Sequence, residues 1–307
     1  MTQLGIIGLG RMGANIARRL RRAGTSLTAY NRTHQVAQAL TQETGLHAAA
    51  TLDELVSALS PPRIVWLMLP AGGVTEQHIR DLAQRLSPGD VVVDGANGYY
   101  RDTVAHATAL DARGIHFMDA GVSGGIWGLE NGYCLMVGGK PEAVRLVEPY
   151  LNILAPNPDT GWEHCGSAGS GHFVKMIHNG IEYGMMQAMA EGFALMGAKT
   201  EFQLDLARIA DTWRHGSVVR SWLLDLTADF LKQDQTLAAI EPFVGDSGEG
   251  RWTVQESVEL GVPAPVIGLA LMMRFASQGK NDYAARVLAM MRQGFGGHAV
   301  KDTGDAP

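Results

Sequence analysis

The chain has 307 residues, 46% hydrophobic and 18% charged, with a formal net charge of −6, which is enough for two domains with substantial cores and fits a soluble cytoplasmic enzyme. The acidic balance argues against a nucleic-acid partner, which calls for a basic excess, so an anionic substrate has to be held by a local cluster. Two cysteines, Cys134 and Cys165, have neither metal-like spacing nor a disulfide framework, and no spanning apolar run or signal-peptide pattern is present, so a reducing compartment and no membrane partner are expected.

Leu4-Gly5-Ile6-Ile7 reads as a short buried strand, followed by Gly8-Leu9-Gly10-Arg11-Met12-Gly13 and a helical run from Ala14 to Arg22. Gly8 permits a tight turn, Gly10 lets the backbone approach a pyrophosphate, and Gly13 lets helix and strand pack closely. A second strand, Ser26 to Tyr30, completes the context that a dinucleotide site requires. Leu9, Arg11 and Met12 are the loop positions beside that cofactor, with Arg11 close to its phosphates. The second strand ends in Asn31-Arg32-Thr33, with no carboxylate for the ribose hydroxyls of NAD. Arg32 offers a planar fork to a phosphate, so NADP is favoured and NAD remains open. Arg18, Arg19, Arg21 and Arg22 read as the solvated face of the first helix.

Ile64-Val65-Trp66-Leu67-Met68-Leu69 and Val91-Val92-Val93 are continuous apolar segments of the kind buried parallel strands show. They lead into Pro70-Ala71-Gly72-Gly73 and Asp94-Gly95-Ala96-Asn97-Gly98. Ligands in such folds bind where strands end, so Leu69, Pro70 and Asn97 are expected at the nicotinamide end of the cofactor. His116 to Ala120 leads into a turn, Gly121-Val122-Ser123-Gly124-Gly125. Its Ser123, Gly124 and Gly125 present a hydroxyl and small backbone groups to a carboxylate or sugar hydroxyl. After residue 166 strand signals fade, and Met- and Leu-rich helical patterns run to about residue 293. The organisation expected is an α/β Rossmann-type N-terminal domain over 1–166, an all-α domain for substrate binding and oligomerisation over 167–293, and a Gly-rich tail over 294–307.

The segment from Gly169 to Tyr183 carries the densest chemistry. Lys175, Asn179 and Glu182 are spaced i, i+4, i+7, and His178 lies four residues before Glu182, so one helical stripe presents a base, an orienting amide and an acid to a small ligand. Val174, Met176, Ile177, Ile181, Met185 and Met186 make the helix apolar nearly all round, which predicts burial on most sides. An isolated charge is rarely buried there without a partner or a task.

Together the GLGRMG at 8–13, the VSGG at 122–125 and the GSGHFVKMIHNGIEYG at 169–184 resemble the decarboxylating 6-phosphogluconate dehydrogenases of the β-hydroxyacid dehydrogenase superfamily. The resemblance extends to Gly250-Arg251-Trp252-Thr253, to Glu259 through Pro263 and to Arg292 through His298. The chain length corresponds to the short form of that family, which lacks the duplicated helical domain of the long form. The resemblance implies that Lys175 takes the proton from the C3 hydroxyl as hydride leaves C3, that CO2 is lost without a metal, and that Glu182 protonates C1 of the enediol. Lys175 then has to start neutral, which calls for burial or nearby positive charge. Asn97, Ser123, Gly124, Gly125, His178 and Asn179 would orient the sugar acid, and Tyr183, Arg274, Arg292 and His298 would hold its phosphate. A homodimer or homotetramer is implied, with the tail of one subunit completing the neighbouring site.

One departure stands out. The long form supplies a lysine and a threonine to the phosphate where this chain has Ser247 and Glu249, and a carboxylate beside a phosphate is unfavourable. Two other readings remain: a dehydrogenase of a non-phosphorylated β-hydroxyacid of the 3-hydroxyisobutyrate or tartronate-semialdehyde type, and a nucleotide-sensing regulator. Glu182 separates the first, since hydride transfer alone needs no acid to protonate a carbanion, and the intact Lys175, Asn179 and Glu182 set argues against the second.

Overall fold

The computed structural model describes residues 3–297, 299 and 300. His298 lies outside the described residues. The chain divides into two compact units, Met1–Ile177 and His178–Pro307, and among the described residues no helix is long and apolar enough to cross a membrane.

In the first unit short apolar runs become strands because both faces of the sheet are covered. The elements in order are β1 (Gln3–Ile7), α1 (Arg11–Arg22), β2 (Ser26–Tyr30), α2 (His34–Thr44), β3 (His47–Ala49), α3 (Leu52–Ser57), β4 (Ile64–Leu67), α4 (Gly73–Ala83), β5 (Val91–Asp94), α5 (Tyr100–Asp111), β6 (His116–Ser123), α6 (Gly128–Asn131), β7 (Cys134–Gly139), α7 (Pro141–Leu154) and β8 (Trp162–Gly166). They form one eight-stranded sheet in the order β3-β2-β1-β4-β5-β6-β7-β8. All neighbours are parallel except β6 and β7. Alternation along each strand sends Ile6, Trp66 and Val93 to one face, against Ile16, Leu20, Val147 and Leu151. Ile7, Leu67 and Val92 go to the other, against Leu55, Ile79, Leu82 and Leu110. Strand order reverses between β1 and β4, the point where open α/β sheets place a ligand crevice.

Gly121 to Ser123 do not form the expected turn: they continue β6, with Gly121 opposite Met136 and Ser123 opposite Cys134, and the chain turns only at Gly124, whose φ is +125°. Small residues suggested a turn, but Gly121 is small for packing, since a Cβ there would meet Lys175 Cβ at 2.4 Å. The arginines of α1 are likewise not only a solvated face. Arg19 donates to the carbonyls of Ile153 (2.9 Å), Leu129 (3.2 Å) and Ala155 (2.6 Å), and Arg21 to those of Thr44 (3.0 Å) and Thr25 (2.7 Å). Their long stems reach the carbonyl ends of α2, α6 and α7, which need donors once their helices stop. Arg18 and Arg22 pair with Glu43 and Glu130.

The division between the units falls within α8 (Ser170–Ala198), and the second unit continues with α9 (Leu206–Trp213), α10 (Trp222–Gln233), α11 (Glu249–Leu260), α12 (Pro265–Ser277) and α13 (Asp282–Gly296). α13 thus carries helix into the segment read as the tail. Burial on most sides of α8 does not hold: Met176 and Tyr183 are buried, but Val174, Ile181 and Met185 are exposed to 38%, 52% and 41%. A helix of 29 residues has more apolar surface than its neighbours in this chain cover. Val266, Leu269 and Met272 of α12 and Leu288, Met290 and Met291 of α13 are exposed too.

Candidate active site

The glycine loop has the geometry a dinucleotide needs. Gly8 turns with φ +93°, and a Cβ there would meet the carbonyl oxygen of Met68 at 2.4 Å and Leu69 Cδ2 at 2.8 Å. At Gly13 a Cβ would lie 2.0 Å from the Gly8 carbonyl oxygen, whereas at Gly10 nothing stands within 4 Å. So Gly8 and Gly13 draw β1, α1 and the β4 loop together, and Gly10 leaves the approach to the helix end open. α1 begins with Gly10 as its cap, without a side-chain cap bond and without an acidic residue in its first turn, which suits a diphosphate at its N–H groups. Leu9 is buried, Met12 packs on the core, and Arg11 is exposed at the first helical position.

Asn31 is built into this loop: its Oδ1 accepts from Leu9 N at 3.0 Å and its Nδ2 donates to the Thr33 carbonyl at 3.0 Å. Arg32 is exposed beside it, and Thr33 stands at the start of α2 without a cap bond. Pro70 anchors the β4 loop by accepting from Thr75 Oγ1 at 2.9 Å. Asn97 is exposed on the β5 loop, where Asp94 Oδ1 accepts from Ala96 N at 3.0 Å. Burial pushes the Asp94 carboxyl above the usual carboxylate range, with His172 and His106 nearby pulling it down.

Lys175 is half-buried, with its stem against Gly121. Burial raises the Cys134 thiol while Lys175 pulls it down, so the Lys175 side chain lies near the start of β7, where Cys134 pairs with Ser123 of β6. Gly124 and Gly125 follow with φ of +125° and +52°. Sequence reasoning missed what holds this lysine in place. Asp119, fully buried in β6, accepts from Gly169 N and His172 N at 2.7 Å each and so caps α8. His172 Nδ1 lies 2.7 Å from Thr103 Oγ1 and packs under Gly98. An acid inside an apolar strand, Met118-Asp119-Ala120, was the available signal, because a buried carboxylate needs donors.

In the second unit His178 Nδ1 lies 3.0 Å from Asn179 Oδ1 and 4.0 Å from Glu182 Oε2, with His178 and Glu182 each about 38% exposed. Tyr183 is buried, with Arg274 3.4 Å above its ring centroid; Arg274 Nη1 also donates to the Gly245 carbonyl at 2.7 Å. Glu249 does not face outward as a stray carboxylate: it is buried, accepting from Asn179 Nδ2 at 3.1 Å and from Ser247 Oγ at 2.6 Å. Arg292 is exposed on α13. Among the described residues no group of three or more His, Cys, Asp or Glu is placed to hold a metal ion.

The family model for the NAD binding domain of 6-phosphogluconate dehydrogenase matches residues 3–164, and that for the C-terminal domain of 6-phosphogluconate dehydrogenase matches residues 171–303. The chain is 40% identical to the NAD(+)-dependent, decarboxylating 6-phosphogluconate dehydrogenase of Haloferax volcanii, over 97% of this chain and 98% of that one. It is 37% identical to the NADP(+)-dependent, decarboxylating enzyme of Bacillus subtilis, over 91% of this chain and 62% of that one. The solved 6-phosphogluconate dehydrogenase of Plasmodium falciparum superposes with a TM-score of 0.84 at 28% identity, over 99% of this chain and 67% of that one. With two family models spanning its two units and a relative matched along nearly its whole length, the chain belongs to the 6-phosphogluconate dehydrogenase family.

Proposed function

We propose that this protein converts 6-phospho-D-gluconate to ribulose 5-phosphate and CO2, with NADP as its preferred oxidant and NAD as a possible one, and that it works as a homodimer or homotetramer. The observation that carries the reading is α8, which presents Lys175, Asn179 and Glu182 on one helix in a chain of this family.

The nicotinamide, when bound, supplies the hydride acceptor, and Gly8, Leu9, Gly10, Arg11, Met12, Gly13, Asn31, Arg32, Thr33, Leu69, Pro70 and Asn97 would hold the dinucleotide. Lys175 removes the C3 hydroxyl proton as the C3 hydride departs, giving a 3-keto acid. It then faces the developing enolate oxygen as an ammonium while the C1–C2 bond breaks and CO2 leaves. Lys175 gives its proton to that oxygen, and as Glu182 protonates the former C2 of the substrate, which is C1 of the enediol and of the product, Lys175 takes the hydroxyl proton back; a plain β-hydroxyacid dehydrogenase needs no such acid. Asn97, Ser123, Gly124, Gly125, His178 and Asn179 orient the sugar acid; Tyr183, Arg274, Arg292 and His298 serve its phosphate, the last two from a partner subunit. Arg32 is exposed and makes no ion pair or hydrogen bond among the described residues, so its guanidinium is available to a 2′-phosphate.

The test is cofactor reduction on 6-phosphogluconate with NADP and NAD in parallel, with CO2 trapped. One CO2 per reduced cofactor and a higher kcat/KM with NADP are expected. Reduction without CO2, or turnover of 3-hydroxyisobutyrate instead, overturns the assignment.

A further inference from the structure

Glu249 is a buried acid that the reaction above does not use, at a position where a phosphate site would want no carboxylate. α11 is brought against α8 by Gly180, where a Cβ would sit 2.8 Å from Thr253 Cγ2. That approach delivers Glu249, the first residue of α11, to Asn179, the neighbour of Gly180. One carboxylate oxygen accepts from Asn179 Nδ2 and the other from Ser247 Oγ, whose hydroxyl lies 3.4 Å from Tyr183 OH.

A carboxylate can only accept, so the amide of Asn179 must turn its NH2 to Glu249 and its oxygen away. That oxygen is the atom 3.0 Å from His178 Nδ1, and it too can only accept. Nδ1 therefore carries the ring proton, and Nε2 of a neutral His178 is left with its lone pair. Glu182 Oε2, at 4.0 Å from the same nitrogen, is beyond hydrogen-bond reach.

We infer that Glu249 is a positioning residue: by holding the amide of Asn179 in one of its two flip states it holds His178 in the Nδ1–H tautomer, which makes Nε2 an acceptor for a substrate hydroxyl. The inference rests on assigning His178 and Asn179 to the sugar acid. The tautomer can be read without substrate, so failure of that assignment and failure of this one are distinguishable.

The experiment is 15N NMR of histidine-labelled protein above the imidazole titration range, with the His178 signal assigned by its loss in His178→Asn, together with kinetics. Wild type is expected to show the Nδ1–H pattern, and Glu249→Leu to lose it. In Glu249→Leu kcat should fall by about 10- to 100-fold, the scale known for losing the partner that orients a metal-bound imidazole, with the cofactor KM within about threefold of wild type. Glu249→Gln, whose oxygen still accepts from Asn179 while its NH2 faces Ser247 Oγ, should keep the tautomer and most of the activity. An unchanged tautomer in Glu249→Leu, or a Glu249→Gln enzyme as impaired as Glu249→Leu, overturns the proposal.

If Glu249→Leu does not fold, a reversal of the bond decides the matter. Asn179→Asp alone sets two carboxylates against each other, and adding Glu249→Gln restores a donor and an acceptor with exchanged roles. Recovery of about tenfold in kcat in the double variant is expected of directly coupled residues. No recovery overturns the proposal.

Discussion

Lys175 and Glu182 are assigned to opposite ends of the reaction, so their loss should fail at different steps. Lys175→Met is expected to abolish hydride transfer, by roughly 100- to 10,000-fold if it acts through proton transfer alone. Glu182→Gln should leave the first turnover of cofactor reduction near wild type and slow the steps after oxidation. Single-turnover absorbance of the reduced nicotinamide, combined with CO2 trapping, separates the two, and a Glu182→Gln enzyme unaffected in both would remove the acid from the reaction. Arg32→Ala should raise the Kd for NADP by about 10- to 100-fold, as expected for a lost hydrogen bond to a charged group, and leave NAD little changed. Asn31→Asp is informative because of what Asn31 touches. It keeps the acceptor for Leu9 N but loses the donor to the Thr33 carbonyl and sets a charge against that oxygen. NADP binding should therefore weaken both through repulsion of the 2′-phosphate and through a loosened loop, and equal weakening of NAD in titrations would assign the effect to the loop alone.

At the scale of elements, two buried acids hold the ends of α8 and β5 in opposite ways. Asp119 satisfies two N–H groups at the start of α8. Asp119→Ala would leave both unmet at about 1–3 kcal/mol each, and should lower Tm and, by loosening the helix end that carries Lys175, kcat; calorimetry and steady-state kinetics read both. Asp94 is different, because burial raises its pKa. A carboxyl whose folded pKa lies above its unfolded value contributes stability at low pH and loses it as pH rises through the folded pKa. Asp94→Asn keeps an acceptor for Ala96 N without the charge. It should match or exceed wild type in Tm at about pH 7.5, and the gap should close as the pH falls below the carboxylate range. A widening gap in melts at acid pH would contradict this. Gly180 was legible as part of a motif, but its reason, the close approach of Thr253, belongs to helix packing.

For the whole molecule, α8, α12 and α13 leave several apolar residues exposed, and apolar surface is what proteins use to associate, in keeping with the proposed homo-oligomer. Light scattering should give a dimer or tetramer. Under the proposed site, which takes Lys175 from one subunit and His298 from the other, subunit exchange between inactive Lys175→Met and His298→Ala chains should restore part of the activity. No activity in demonstrated mixed oligomers would place His298 in the site of its own subunit.

The alternation of apolar runs, the glycine loop and the i, i+4, i+7 spacing of Lys175, Asn179 and Glu182 were readable along the chain, because strand burial, tight turns and helical stripes are set by residues near one another in sequence. Tertiary structure alone decided the rest. Asp119 reaches Gly169 and His172 across sequence separations of 50 and 53, and Asn179 reaches Glu249 across 70. Gly121 proved to be a packing surface for Lys175 instead of a turn, and Arg19 a cap for distant carbonyls instead of a solvated charge. A buried polar group must find a partner wherever the fold offers one, and no local pattern records which distant residue that will be.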